Sequence, residues 1–558
     1  MRTAQDGSLA LDPLLDALMT EQRLRPDDAR RALDQARAHP AHPLETLASL
    51  DLDDPLRPGH RLDLDSLCHW LADKAGQPYL RLDPMQIDLA RIDGLISPAF
   101  AKRHGILAVA VDEHGITVAS AQPYQSEWEA DLRRSLGQPI HRVLANPVQL
   151  RMLDDTCQRL SRSVQGAQQQ QRTRLGELEQ LLESGGRQAA VSADDAHIVH
   201  IVDWLLHYAV EQRASDIHLE PRREQGRLRY RIDGLLHTVY VFPASVTLAL
   251  VSRFKHLGRL DVAEKRRPQD GRLNSRLADG AQVELRLSTL PTPFGEKLVL
   301  RLFDPQQRHQ DFAQLGLDGT LLEQWQALLT RRQGIILLTG PTGSGKTSTL
   351  YASLKHLATP QLNLCTIEDP IERLEPDFNQ LQVQPALDLG FADGVRALLR
   401  QDPDIIMIGE IRDRETAQVA VQAALTGHLV LSTLHTNDAC SAITRLQELG
   451  VADYLIKATL IGVMAQRLAR TLCTACNGRH AQSGTCRACR DTGFQGRTGL
   501  FELLVLDDAL RARIGPADDL ASLRRQALAQ GMRDLRRCGE DKVVQGLTSV
   551  VEVLRVCA

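Results

Sequence analysis

The chain has 558 residues, 43% hydrophobic and 24% charged, with a formal net charge of -4. That length exceeds what one hydrophobic core supports and implies three or four domains. The slightly acidic balance and the 4% aromatic content argue against a broad nucleic-acid surface, which needs excess cations and stacking rings.

Residues 1–60 show helix-like spacing in "LDPLLDALMTEQRLRPDDARRALDQA" and lack the continuous apolar segment of a signal peptide. They predict an N-terminal helical extension. From 61 to 160, helices alternate with the short strands "GILAVAV" and "GITVAS", a small α+β domain. Residues 161–194 are rich in Gln, Ser and Gly, with one short helical patch around Leu178–Leu182, and read as a flexible linker. From 195 to 305, the apolar-periodic helix "AHIVHIVDWLLHYAVEQRA" precedes strand-like "RLRYRIDG", "QVELRLSTL" and "KLVLRLF", a second α+β domain. A nucleotide-binding domain is expected at 306–472, a cysteine module at 473–498 and a helical C-terminal region at 499–558. No apolar run approaches the ~20 residues that a membrane span requires, so a cytoplasmic protein is expected.

In "GPTGSGKTS" the spacing is that of a phosphate-binding loop, between a strand-like "GIILL" and a helical "TSTLYASLKHLA". Gly340, Pro341, Thr342, Gly343, Ser344, Gly345, Lys346, Thr347 and Ser348 are therefore the expected ATP-binding positions. Backbone N–H groups of the loop and of the helix start would cradle the phosphates. Lys346 would neutralise the β and γ oxygens, and Thr347 would hold Mg²⁺. In "DPDIIMIGEIRD" an apolar run, Ile405 to Ile408, leads to Gly409 and Glu410. A carboxylate at such a strand end is placed to orient the attacking water and handle its proton. Between these motifs, "CTIEDPIERL" groups Glu368, Asp369 and Glu372. Three acids at a strand end can set up the Mg²⁺ shell and the water, or form a solvated turn. "TGHLVLSTLHTND" carries His428 and His435, which read equally as core histidines and as γ-phosphate sensors.

Four of the ten cysteines, Cys473, Cys476, Cys486 and Cys489, form two C-x-x-C pairs. Four thiolates can close a tetrahedron around one Zn²⁺ and leave no open position, which makes the metal structural.

Together, "GPTGSGKTSTL", "IEDPIE", "LLRQDPDIIMIGEIRDRETAQVAVQAALTGHLVLSTLHTND" and "AQRLARTLC" resemble the secretion ATPases that drive type II secretion and type IV pilus assembly. The corresponding elements of that family are the Walker A loop, the aspartate box, the Walker B motif and the histidine box. "ASDIHLEP", "RYRIDG", "RRPQDGR" and "STLPTPFGEKLVLRL" extend the resemblance into the preceding domain. It implies an α/β architecture: a RecA-like P-loop ATPase domain preceded by a PAS-like α+β N2 domain and an α+β N1 domain, with a small zinc knuckle. It further implies a homohexamer that hydrolyses ATP, docks on inner-membrane platform proteins and acts indirectly on pilins or pseudopilins. Glu410, Lys346 and Glu372 are the expected catalytic residues of the P-loop domain. Arg229, Arg231 and Arg301 of N2 are expected to stabilise charge developing on the γ-phosphate. Some relatives bind cyclic di-GMP through an arginine-leucine-glycine opening near the start. This chain lacks that opening, so neither cyclic di-GMP binding nor direct nucleic-acid contact is expected. A DNA uptake or conjugation ATPase is the alternative enzyme, and an ATP-binding scaffold without turnover the alternative of another class.

Overall fold

The computed structural model describes residues 7–557 except 40, 57–60, 83–86, 88, 93, 183–195, 277–281, 304–310, 479–485, 487, 490–491 and 516–519, and only the backbone of 89–90, 168–182, 276, 282 and 303. Two compact units divide the chain, Met1–Pro305 and Gln306–Ala558.

The first unit begins with the helices Leu11–Thr20, Pro26–Ala38, Pro43–Ala48 and Leu64–Ala75. All are too short to stand alone, and they pool Leu14, Leu18, Leu44, Leu47, Leu67 and Leu71 in one core. The boundary expected at residue 60 therefore cuts through a packed module. Leu64–Ala75 belongs with the N-terminal helices because its apolar stripe meets theirs. A three-stranded sheet follows, β1 (Ile106–Asp112), β2 (Gly115–Ser120) and β3 (Ile140–Leu144), in that order.

The segment expected as a flexible linker starts as helix instead, because Pro147–Leu182 is continuous. Gln and Arg are fair helix formers, and Leu160, Val164 and Ala167 join Ile198, Ile201 and Val202 of the helix Ala196–Glu211 in one core. Polar composition signalled a loop there, and packing of one buried stripe overrode it. Residues 183–194 of the expected linker lie outside the described residues.

Six further strands build the unit's second sheet: β4 (Asp216–Pro221), β5 (Gln225–Ile232), β6 (Leu235–Pro243), β7 (Gln269–Arg276), β8 (Gln282–Thr292) and β9 (Gly295–Phe303). Their order is 6-5-4-9-8-7, antiparallel throughout. Side chains alternate between faces along a strand. Ile217, Leu219, Leu228 and Tyr230 thus join the helices Ala196–Glu211 and Ala244–Leu257 in the core. The Tyr230 hydroxyl donates to the Leu205 carbonyl at 2.7 Å and ties sheet to helix. The opposite face carries the charged residues of β4, β5 and β9.

In the second unit, β10 (Gly334–Thr339), β11 (Leu364–Glu368), β12 (Asn379–Gln382), β13 (Ile405–Ile408), β14 (Leu429–Leu434), β15 (Leu460–Leu472) and β16 (Phe494–Val505) form one sheet in the order 12-11-13-14-10-15-16. Every pairing is parallel except β15 with β16. Ile335 and Leu337 enter one core and Ile336 and Leu338 another, as continuous apolar strands do when a parallel sheet is covered on both faces. The boundary expected between a cysteine module and a helical tail at 498/499 falls inside β16. The tail's first residues, "GLFELLV", complete that strand. A short apolar run cannot be assigned to helix or strand by periodicity alone, and pairing with β15 decides it. The cysteine stretch is thus an insertion at the open end of a β-hairpin.

Candidate nucleotide site and cysteine cluster

The phosphate loop leaves β10 at Gly340 and enters the helix Lys346–Leu357 directly. Its turns need glycine, with φ of 146° at Gly340 and 89° at Gly345. Space demands it too: a Cβ at Gly340 would lie 2.5 Å from the Gln466 carbonyl oxygen, and one at Gly345 2.9 Å from Gln466 Nε2. The loop is pressed against β15 while its N–H groups stay at the helix N-terminus, an arrangement suited to phosphate. Lys346 is buried, and its Nζ donates to the carbonyls of Gly340 (2.7 Å) and Pro341 (3.1 Å). Burial pushes its pKa down to about 8, against the pull of Glu410 and Glu372 and with the push of Arg467. Lys346, Glu410 and Glu372 thus feel one another's charge.

Parallel pairing explains the gathering. β10, β11, β13 and β14 run the same way, so their C-terminal ends share one edge, where ligands of open α/β sheets bind. Glu410 lies two residues past β13, where it pairs with Arg412 and lies 3.5 Å from His435 Nε2. Thr433 Oγ1 donates to the Gly409 carbonyl at 2.8 Å, and the Ile411 N–H donates to the Thr433 carbonyl at 3.0 Å. Both bonds fix the backbone that aims Glu410. Asp369 and Glu372 are exposed after β11, and Thr347 is half-buried at the helix start.

Two expectations are corrected. Glu368 is buried and spends both carboxylate oxygens on protein donors: Oε2 accepts from the Tyr351 hydroxyl (2.6 Å), and Oε1 from Thr366 Oγ1 (2.7 Å) and Gln380 Nε2 (3.1 Å). It bolts β11 to the helix that follows the phosphate loop instead of facing a metal ion. Burial, reinforced by Glu368, raises the Tyr351 phenol well above its usual range, so this bolt stays a neutral donor. His428 stands at the wrong end of β14. Its carbonyl accepts from the Gly334 N–H at the start of β10, and its Nδ1 lies 2.9 Å from the Ala423 carbonyl. Six strand residues, roughly 20 Å, separate it from the edge where His435 stands.

Sequence reading singled out neither Gln466 nor Arg467 of β15. Gln466 is fully buried, accepts from Thr349 Oγ1 at 2.9 Å, and backs the loop at Gly340 and Gly345. Arg467 donates to the Asn437 carbonyl at 2.8 Å. A buried glutamine within an apolar strand was the available signal.

In the first unit, Arg231 and Arg301 stand directly opposite Asp216 from either side of β4. Arg301 Nε donates to Asp216 Oδ1 at 3.0 Å, and Arg231 Nε lies 3.6 Å from Oδ2. Arg229 Nη2 donates to Glu220 Oε1 at 2.6 Å, with Lys297 Nζ 3.3 Å from the same oxygen. The three predicted arginines therefore share one sheet face, each held on a buried carboxylate.

The sulfur atoms of Cys473, Cys476, Cys486 and Cys489 all lie within 4.8 Å of one another, with Cys473–Cys486 and Cys476–Cys489 both at 3.6 Å. Thiolates about 2.3 Å from a tetrahedral ion stand about 3.8 Å apart, so this cluster can hold a metal ion.

Residues 191–555 match the family described as "Type II/IV secretion system protein", and residues 75–163 match the "MshEN domain". The chain is 50% identical over 541 residues to the type IV pilus assembly ATPase TfpB of Acinetobacter baylyi, covering 92% of each. It is 36% identical over 529 residues to the type IV pilus assembly ATPase PilB of Myxococcus xanthus, covering 88% of this chain and 91% of that one. With the type II secretion system protein HxcR of Pseudomonas aeruginosa it shares 48% identity over 367 residues, 65% of this chain and 78% of that one. Among solved structures, the ATPase DotB of Legionella pneumophila covers 66% of this chain and 97% of its own, with a TM-score of 0.51 and 22% identity, a likeness of fold. The phosphate loop and the strand-end carboxylate lie within the matched span, and the chain belongs to the type II/IV secretion system protein family, as an ATPase of the secretion and pilus-assembly kind.

Proposed function

We propose that the chain is the ATPase of a type IV pilus assembly machine, working as a homohexamer on the cytoplasmic face of the inner membrane. The observation that carries this choice over type II secretion is extent. Similarity to pilus assembly ATPases runs through the N-terminal domain over 88–92% of the chain, while similarity to HxcR stops at 65%. Type II secretion remains the second reading, on the 48% identity of that shorter span.

In this reading, the loop N–H groups and Lys346 hold the β and γ oxygens of ATP. Thr347 would hold Mg²⁺, which would supply charge neutralisation when bound. Glu410 orients the water and takes its proton, while Asp369 and Glu372 order the surrounding solvent. Arg229, Arg231 and Arg301 leave their carboxylates to stabilise charge on the γ-phosphate. Four thiolates close a structural Zn²⁺ site at the β15–β16 hairpin. The domain at 75–163 docks on inner-membrane platform proteins, and pilin is moved indirectly. Cyclic di-GMP is not a ligand in this reading, which a titration with labelled cyclic di-GMP tests.

The deciding experiment deletes the gene in its source organism and counts surface pili and secreted proteins, with complementation by wild type and by Glu410→Gln. Loss of pili with secretion intact, restored by wild type alone, is the expected result. Loss of secretion with normal piliation overturns the pilus assignment.

A further inference from the structure

The charged face of the six-stranded sheet holds a residue that the proposed function has not used. β4 is central in that sheet, and alternation sends Asp216, His218 and Glu220 to the face opposite the core. Asp216 and Glu220 are engaged by the cations described above. His218, between them, is only 8% exposed, yet both ring nitrogens are buried without a hydrogen-bond partner among the described residues. Directly opposite on β5 stands Arg229, whose Nε is also buried and unpartnered. Unpaired buried polar groups are costly to keep, and two face each other here.

The surrounding charge is lopsided. Read straight across the sheet, one register row runs Arg231, Asp216, Arg301, Arg286, with Arg301 and Arg286 directly opposed. Clustered guanidinium groups of this kind suit a polyvalent anion. The acids are fixed and buried (7% and 3% side-chain exposure), while Arg301, Arg231 and Arg229 retain 55%, 36% and 29%. The guanidinium groups can therefore swing outward, and doing so uncovers the ring beneath. Burial keeps the His218 pKa below the ordinary imidazole range, with Lys297 and Arg231 pushing the same way and Asp216 and Glu220 opposing. A neutral ring offers one N–H donor.

We propose that His218 is a further phosphate-contacting residue, donating a ring N–H to the terminal phosphate of a nucleoside triphosphate that the neighbouring arginines bind. The inference rests on the proposed role of Arg229, Arg231 and Arg301. A terminal phosphate fits because its several acceptor oxygens can replace both carboxylates and still take the imidazole N–H. His218 then contributes to telling triphosphate from diphosphate.

The test is equilibrium titration of the full-length chain with the slowly hydrolysed γ-thio analogue of ATP and with ADP. Wild type, His218→Ala, His218→Gln and Arg301→Ala are compared, with a melting curve for each. His218→Ala should weaken the triphosphate analogue about tenfold, the scale of one hydrogen bond to a charged group, and leave ADP affinity and melting temperature unchanged. His218→Gln, which keeps an N–H donor, should recover most of the loss. If Arg301→Ala weakens the analogue and His218→Ala does not, the arginine role stands and the role of His218 falls. If neither variant affects the analogue, the role of His218 falls, and the arginine role rests on the hydrolysis rate alone. Equal weakening of analogue and ADP together with a lower melting temperature reduces His218 to a structural residue and overturns the inference.

Discussion

The two units restrain their cations by different means. Lys346 is restrained by its own loop: two backbone carbonyls take its ammonium, and burial lowers its pKa to about 8. Arg229, Arg231 and Arg301 are restrained by side chains on a neighbouring strand, through the buried carboxylates of Asp216 and Glu220. Carbonyls carry only partial charge, so a phosphate displaces them readily. Carboxylates carry full charge, so only a competing anion of similar strength draws the arginines away. The first restraint is closed within one motif. The second depends on the register of three strands, and it makes the arginine face a conditional part of any site it serves.

The largest effect expected concerns the carbonyl-restrained site. Glu410→Gln should lower phosphate release at least ~100-fold, the usual worth of a general base, while nucleotide binding persists because Lys346 and the loop are untouched. A residual rate above about a tenth of wild type would remove Glu410 from that role. Next comes the cysteine cluster. Metal analysis should find one zinc per chain, lost in Cys473→Ser or Cys489→Ser. Structural zinc sites are worth ~10–16 kcal/mol in small peptides, so the open end of the β15–β16 hairpin should become protease-sensitive. The arginine face lies on another unit's sheet, and its response to nucleotide should survive the loss. Protein purified without chelators and free of zinc would contradict this.

A smaller effect separates the two kinds of restraint. Alanine at Arg229, Arg231 or Arg301 should lower the hydrolysis rate about tenfold, more than any change in folded fraction explains. Full activity in all three variants would confine the face to a structural role. The smallest effect is a matter of protons. Phosphate binds the charged form of Lys346, which in the nucleotide-free chain loses its proton as pH rises through about 8. ATP affinity should therefore hold steady below that pH and fall above it, by at most about tenfold per pH unit, the limit for one linked proton. Lys346→Arg should abolish the break, since guanidinium stays charged throughout. Affinities that are level from pH 7 to 9 would show that the loop does not restrain Lys346 as the geometry indicates.

Chemistry confined to a few neighbouring residues was readable before any fold. The spacing of Gly340, Gly345, Lys346 and Thr347, the apolar run ending in Glu410, and the paired cysteines each encode their geometry locally, because a turn or a strand end brings such residues together without help. The arginines of β5 and β9 were legible as cations on strands. Their shared face, and the carboxylates holding them, were not.

Tertiary structure alone decided the rest, and the reason is the same in each case. Periodicity tells which face of an element is apolar, not which element lies next to it or which end of a strand reaches an edge. Glu368 became a bolt because Tyr351 and Gln380 reach it across three elements. His428 fell away because β14 runs parallel to β10 and starts at the far edge. Residues 161–182 continue a helix, and its Val164 and Ala167 share a core with the helix Ala196–Glu211. "GLFELLV" became strand because β15 supplied its pairing. Gln466 backs the phosphate loop, and His218 lies under the arginines, only because strands distant in sequence are neighbours in space.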